Sequence, residues 1–315
     1  MMATQNAPIE SGLWLTAGFL LFIAVMLTLD LGVFNRKAHS PRPREAFAWT
    51  CVWVGLAFGF GFLLYWWYGA PSATEYFTGY IIEWSLSVDN LFVFIMIFKY
   101  FSVDPQNKHR VLFWGILTAM ILRGIMILGG VALIRQFHWV IYIFGVFLIY
   151  TGGHIVWHKN DDLDPEHTLV VRLARRFLPV TREYHGSRFI VKDGARWLVT
   201  PLMLVLLAVE ATDVVFALDS IPAIFAITQD PFIIFTSNIF AILGLRSLFF
   251  LIAGMMDRFR YLKFGLAFVL GFVGVKMLVS GTSWAVPTPI ALGVIVAVLA
   301  GSVALPYWLG SNTNH

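Results

Sequence analysis

Charge is what this sequence has least of. Lys, Arg, Asp and Glu make up 13% of its 315 residues, against 59% hydrophobic residues. A soluble domain carries roughly 25% charged and 45–50% apolar residues. With a mean hydropathy of +0.77, the chain cannot cover its apolar side chains in water. A polytopic membrane protein is the expectation, with the lipid bilayer as its first partner.

Cysteine is almost absent. Cys51 is the single example, which excludes an intrachain disulfide, a dithiol redox pair and a cysteine-rich zinc cluster. Basic charge is not concentrated either. The net charge of +4 is spread over short loops, so no nucleic-acid partner is expected. Residues 1–12 lack a basic n-region and the first apolar run is too long for an h-region, so no cleavable signal peptide is expected. No ATP-binding motif is visible, and no tightly bound cofactor is expected.

Long apolar runs are abundant. Stretches of about 20 residues, enough to cross a bilayer, occur at 13–34, 47–69, 77–99, 110–134, 138–157, 198–226, 231–255, 262–281 and 286–308. The expected fold is all-α: a polytopic membrane helix bundle of about nine transmembrane helices, one transmembrane domain over 1–315. Trp66, Trp67, Trp139 and Trp308 fall at span ends, as an interfacial belt does.

Basic residues set the expected orientation. Arg36, Lys37, Arg42 and Arg44 follow span 1, and Lys99, Lys108 and Arg110 follow span 3. The loop after span 5 carries Lys159, Arg172, Arg175, Arg176, Arg182, Arg188, Lys192 and Arg196. Arg258, Arg260 and Lys263 follow span 7, whereas Arg135 stands alone between the other spans. The positive-inside rule puts the N-terminus outside and the C-terminus in the cytoplasm. Residues 158–197 form the one long cytoplasmic loop. Its "NDDLDPEH" reads as a solvated linker and its "VVRLARRFLPV" as an amphipathic surface piece.

An internal echo runs through the spans. "EWSLSVDNLFVF" at 83–94 resembles "DVVFALDSIPAI" at 213–224: an acid, five residues, Asp, then Asn or Ser. Arg123 in "ILRGIMI" is matched by Arg246 in "LGLRSLFF", and His154 after "FGVFLIYTGG" by Lys276 after "FGLAFVLGFVGV". The copies cover spans 3–5 and 6–8. An odd number of helices makes the second copy enter from the opposite face, so an inverted three-helix repeat is expected, with a substrate site near the midplane. Pro222 and the Ser/Asn-rich motifs suggest that the motif helices break there.

The spans hold Asp30, Glu83, Asp89, Glu210, Asp213 and Asp219 against Arg123, Arg246, Lys276 and at most His154. A carboxylate at mid-bilayer costs roughly 2.5–3.5 kcal/mol. Unpaired, the set would cost on the order of 15–20 kcal/mol, beyond a stability margin of about 5–15 kcal/mol. The acids must therefore be paired, hydrated, protonated or cation-bound. Structural pairs such as Arg123 with Asp89 and Arg246 with Asp219 would account for part of the set. The surplus of acid fits a site awaiting a cation, with the arginines as tethers or as stand-ins for the ion. Asp30, near the end of span 1, reads equally as a helix-end or an access residue. Glu75, Asp104, Asp230 and Asp257 fall between spans and read as solvated.

Carboxylate, amide and hydroxyl oxygens suit hard ions such as Mn²⁺, Mg²⁺ or Ca²⁺. Zinc and copper favour His and Cys, which the motifs lack. Asn90, Ser220, Ser237 and Asn238 are candidate neutral ligands.

These motifs carry a family resemblance. "GYIIEWSLSVDNLFVF", the run 204–250 that begins "LVLLAVEATDVVFALDSIPAI", and "LKFGLAFVLGFVGVKML" resemble the TerC family of bacterial inner-membrane proteins, most of all its Alx branch. The resemblance implies Mn²⁺ export from the cytoplasm, and Glu83, Asp89, Glu210, Asp213 and Asp219 match the family's intramembrane acids one by one. The expectation is a secondary exporter rather than an enzyme. Mn²⁺ is the transported substrate, held by Asp89, Asp213 and Asp219 with Glu83 and Glu210 assisting. Crowded carboxylates titrate as a coupled set, so proton exchange is part of it. Labels used within the family suggest alternatives: a membrane-bound redox modulator, or tellurite and oxyanion resistance. Delivery of metal to other proteins would use the same ion site.

Overall fold

The computed structural model describes residues 13–32, 43–157, 178–181, 183–193, 196–253 and 262–310. Within them, proline and glycine punctuate an otherwise helical chain. Helix α1 is Leu13–Gly32. Helix α2, Pro43–Tyr100, is 58 residues long and unbroken would reach roughly 87 Å, against a hydrocarbon core of about 30 Å. It breaks at Gly69, whose φ of 85° is the left-handed region that a side chain disfavours. Pro71 follows, in the first turn of the second limb, where its missing N–H costs nothing. The two limbs fold back on each other. Tyr76 Oη donates to Ala57 O at 3.0 Å, and Phe58 packs on Tyr80. Spans 2 and 3 are thus one hairpin of helices with almost no loop.

Helices α3 (Pro105–Gln136) and α4 (Val140–Trp157) complete the first half. Helices α5 (Pro201–Phe225), α6 (Pro231–Leu243), α7 (Leu245–Ile252), α8 (Leu262–Leu278) and α9 (Thr288–Gly310) follow. By length and composition α2, α3, α4 and α5 are long and apolar enough to cross a membrane, and α6 with α7 makes a further, bent crossing. The molecule is a multi-pass helical membrane bundle. Its main core joins the second limb of α2 to α3, α5, α6–α7 and α8. A smaller core packs α1 and the first limb of α2 on α6.

The breaks do not fall where the motifs suggested. The second limb of α2 is continuous through residues 83–90, and α5 runs on past Pro222. Pro222 lies in the last turn of α5. The bend falls instead at Gly244, where α6 and α7 meet at 41°.

The closest helix crossing is α4 on α8. A Cβ at Gly274 would lie 2.6 Å from Gly145 O, and a Cβ at Gly152 2.6 Å from Ala267 O. Only glycine lets the backbones approach this closely. The crossing is antiparallel. Its two contacts exchange under the offset that carries His154 onto Lys276.

One end of the bundle carries a short antiparallel hairpin, β1 (Ile190–Asp193) with β2 (Arg196–Val199), which the sequence reading treated as loop. Tyr184 Oη donates to Phe101 O at 2.6 Å, Asn107 Nδ2 donates to Gly186 O at 3.2 Å, and Arg110 donates to Ser187 Oγ. These bonds dock the hairpin segment on the α2–α3 turn. Burial raises the Tyr184 pKa above the usual phenol value, and the Asp104 carboxylate adds to the shift. Arg36, Lys37, Arg42, Lys159, Arg172, Arg175, Arg176, Arg182, Asp257, Arg258, Arg260, "NDDLDPEH" and most of "VVRLARRFLPV" lie outside the described residues.

Candidate functional site

Three helices place charge near their midpoints. The second limb of α2 carries Glu83, α3 carries Arg123 and α5 carries Asp213. Relative exposures of 1%, 0% and 4% put all three inside the protein. Arg123 is shared. Its Nη2 and Nε donate to Asp213 Oδ1 and Oδ2 at 2.9 and 3.2 Å, a fork on one carboxylate, and its Nη1 donates to Glu83 Oε1. Planar, permanently charged guanidinium suits this two-sided grip. Glu83 and Asp213 open the two echoed motifs, so both motifs meet on a single cation.

One cation does not satisfy this set. Glu83 Oε2 is buried without a hydrogen-bond partner, and so are both carboxylate oxygens of Glu210. Glu210 precedes Asp213 by one turn of α5. It borders a cavity of about 10 Å³ lined also by Gly115, Ala119 and Asp213, about the space one water needs. Gly115 of α3 lies beside this carboxylate: a Cβ there would stand 3.6 Å from Glu210 Oε1, an ordinary contact. Buried polar atoms are rarely left unpaired without a functional reason.

Asp219 is directed elsewhere. It is half-buried and accepts from Thr151 Oγ1 of α4 at 3.1 Å. Asp30 and Asp89 are placed on α1 and α2, but their side chains lie outside the described residues. Asn90 is buried, and Ser87 Oγ, Ser220 Oγ and both ends of the Asn238 amide are buried without partners. Among the described residues, no three His, Cys, Asp or Glu side chains form a group that could hold a metal ion.

Arg123 donates to Glu83 and Asp213; its expected pairing with Asp89 falls on a side chain outside the described residues. Arg246 lines a small cavity with Glu45, Trp49 and His109 at the hairpin end. Asp219 lies toward the other end of α5, so these two do not pair. His154 is exposed on α4. Lys276 is buried and donates to Ala226 O just past α5.

Two residues expected as solvated are structural. Asp230 is buried and caps α6, accepting from Phe232 N at 2.8 Å and Ile233 N at 3.3 Å. Glu75 sits within α2 and accepts from Thr228 Oγ1 at 2.6 Å. The dipeptide Asp230–Pro231 was a visible helix-start signal. No sequence signal joins Glu75 to Thr228, 153 residues away.

The profile of the "Integral membrane protein TerC family" matches residues 68–314. "Uncharacterized membrane protein STKORF319" of Myxococcus xanthus is 52% identical over 292 residues, 93% of this chain and 91% of that protein. "Putative membrane-bound redox modulator Alx" of Escherichia coli (strain K12) is 43% identical over 318 residues, 98% of this chain and 97% of that protein. The protein of the same name from Salmonella typhi is also 43% identical over that length. No solved structure matches the chain. The family profile and these near full-length relatives agree with the motifs read above: the chain belongs to the TerC family of integral membrane proteins.

Proposed function

We propose that this protein is a secondary transporter that exports a divalent cation, Mn²⁺ foremost, through the midplane of the bacterial inner membrane. The observation that carries the reading is the imbalance around Arg123: Glu83 and Asp213 share its one charge, while Glu210 and Glu83 Oε2 are buried with no donor. Removing one partner from a buried ion pair costs about 3–5 kcal/mol. A fold that leaves carboxylate oxygens unmatched in the membrane gains by admitting a cation to them. The oxygen donors suit a hard divalent ion, and the choice of Mn²⁺ follows the family resemblance.

In this reading Arg123 takes the place of the cargo between transport events. The ion engages Glu210 and Asp213 as Arg123 releases a carboxylate. Asp89 and Asp219 act with them, and Asn90, Ser220 and Asn238 supply neutral oxygens. The inverted repeat lets the halves rock about this point to open each face in turn. The hairpin end, with Arg188 and Lys192, is cytoplasmic, and the N-terminus is outside. Protons released on ion binding couple export to the proton gradient.

The test is metal flux in proteoliposomes, comparing Mn²⁺, Mg²⁺, Ca²⁺ and Zn²⁺ with and without a pH gradient. Mn²⁺ flux that disappears in Glu210→Gln and Asp213→Asn supports the reading. Full flux in both variants refutes it. The name shared by the Alx relatives supports a second reading, membrane redox modulation. An absorbance spectrum of the purified protein separates the two, since a flavin or haem absorbs visibly.

A further inference from the structure

At the end of the bundle away from the hairpin, α2, α3, α5, α6 and α8 surround a second polar space. It is a cavity of about 690 Å³ whose lining includes Ser72, Glu75, Arg135, His138, Thr228 and Asp230. Two charged side chains organise it. Glu75 accepts from Thr228 Oγ1, and Thr228 Oγ1 accepts from Asp230 N at 3.2 Å. Lys276 of α8 lies behind the lining and donates to Ala226 O, whose residue borders the cavity. Its ammonium acts electrostatically on Glu75. Asp230 is committed to the start of α6, so Glu75 is the carboxylate left to respond to a newcomer.

The cavity lies over the buried acids. Glu75 precedes Glu83 on one continuous helical limb, roughly 12 Å along the axis. Phe225 and Ala226, in the cavity lining, end the helix that carries Glu210, Asp213 and Ser220. The same two helices thus carry the midplane set and the open cavity. The residue that the sequence echo matches to Lys276, His154, is exposed on α4.

We propose that this cavity is the outward mouth of the cation path, with Glu75 as a station for the departing hydrated divalent cation and Lys276 as the tethered cation that closes it. The proposal rests on the transport reading above. A divalent ion at Glu75 repels the Lys276 ammonium from its seat. When the ion leaves, Lys276 returns to Ala226 O and again balances Glu75, the arrangement the structure holds. Lys276 is a positioning residue here; the ion touches Glu75.

The experiment uses the full chain with Cys51→Ser, adding Gln229→Cys in the exposed cavity wall. A membrane-impermeant, cationic methanethiosulfonate is applied to intact cells, and Mn²⁺ efflux is read. Labelling from outside with a fall in efflux of roughly tenfold, the effect of about 1.4 kcal/mol, is expected. Labelling only in inverted vesicles, or labelling with efflux unchanged, overturns the mouth and leaves the midplane reading standing. A parent protein without Mn²⁺ flux overturns both. In proteoliposomes, Glu75→Gln should slow flux while leaving Mn²⁺ affinity at the midplane intact, and Lys276→Met should admit Mn²⁺ from the outer face. Parent-like flux in both variants also overturns the proposal.

Discussion

Replacing Arg123 by Met tests the electrostatic argument at its centre. The variant removes the fork on Asp213 and the bond to Glu83 at a residue with no exposed surface. It leaves two buried carboxylates without their common partner. Losing one member of a buried ion pair costs about 3–5 kcal/mol, a large share of a total stability of about 5–15 kcal/mol. The same loss frees both carboxylates for a metal. A ligand at 100 times its Kd stabilises the folded state by about 2.7 kcal/mol, so Mn²⁺ should restore much of the deficit. The assay is thermal unfolding of purified protein in detergent, followed by loss of the monodisperse peak, with Mn²⁺ titrated against parent and variant. The variant should unfold well below the parent without metal and gain more from Mn²⁺ than the parent does. Arg123→Lys keeps a charge but loses the fork, and should fall between them. An Arg123→Met protein as stable as the parent, or one that gains no more from Mn²⁺, refutes the view that Arg123 occupies the place of the ion.

Other outcomes follow from single contacts. Glu210→Gln removes a buried carboxylate that has no hydrogen-bond donor. It should leave thermal stability unchanged or raise it by about 1–3 kcal/mol, while abolishing Mn²⁺ flux. Gly152→Leu would force a side chain against Ala267 O. Overpacking costs about 1–3 kcal/mol or more, so the variant should melt early and expose α4 to protease, whereas Gly153→Leu, with open space around its Cβ position, should not. The hairpin segment should show an alkaline transition. The raised Tyr184 pKa favours the docked state below the ordinary phenol value of about 10, and that contribution is lost as pH climbs through the raised value. Limited proteolysis across alkaline pH should show release of the segment in the parent. In Tyr184→Phe the pH step should be gone, and the lost hydrogen bond should cost about 0.5–1.5 kcal/mol.

Which segments form apolar helices was legible in the residues because hydrocarbon imposes a strict rule; among the described residues α2 to α5 and the bent pair α6–α7 are long and apolar enough to cross. A crossing backbone must satisfy its own hydrogen bonds, and its side chains must be apolar over a fixed length. Every expected span has its helix, and Gly69 separates two of them where the apolar run from 47 was read to end. The echo between the two motifs is visible in the sequence as an order of acids and bases. That the acids Glu83, Glu210 and Asp213 lie inside the protein followed from their apolar flanks.

Partnership was decided only by the tertiary structure. Arg123 and Asp213 are 90 residues apart. Which carboxylate meets an arginine depends on which helices touch and how far each is rotated about its axis. Those quantities are set by small residues at remote crossings, such as Gly145 against Gly274 and Gly152 against Ala267. A one-dimensional pattern gives the face on which a charge lies but not the helix it faces. For that reason one guanidinium joined both halves of the repeat, Arg246 was drawn to the hairpin end, and Glu75 and Asp230, which looked like loop residues, line a cavity. The bilayer's demand for apolar length acts on each segment alone, whereas the balance of buried charge is a property of the assembled bundle.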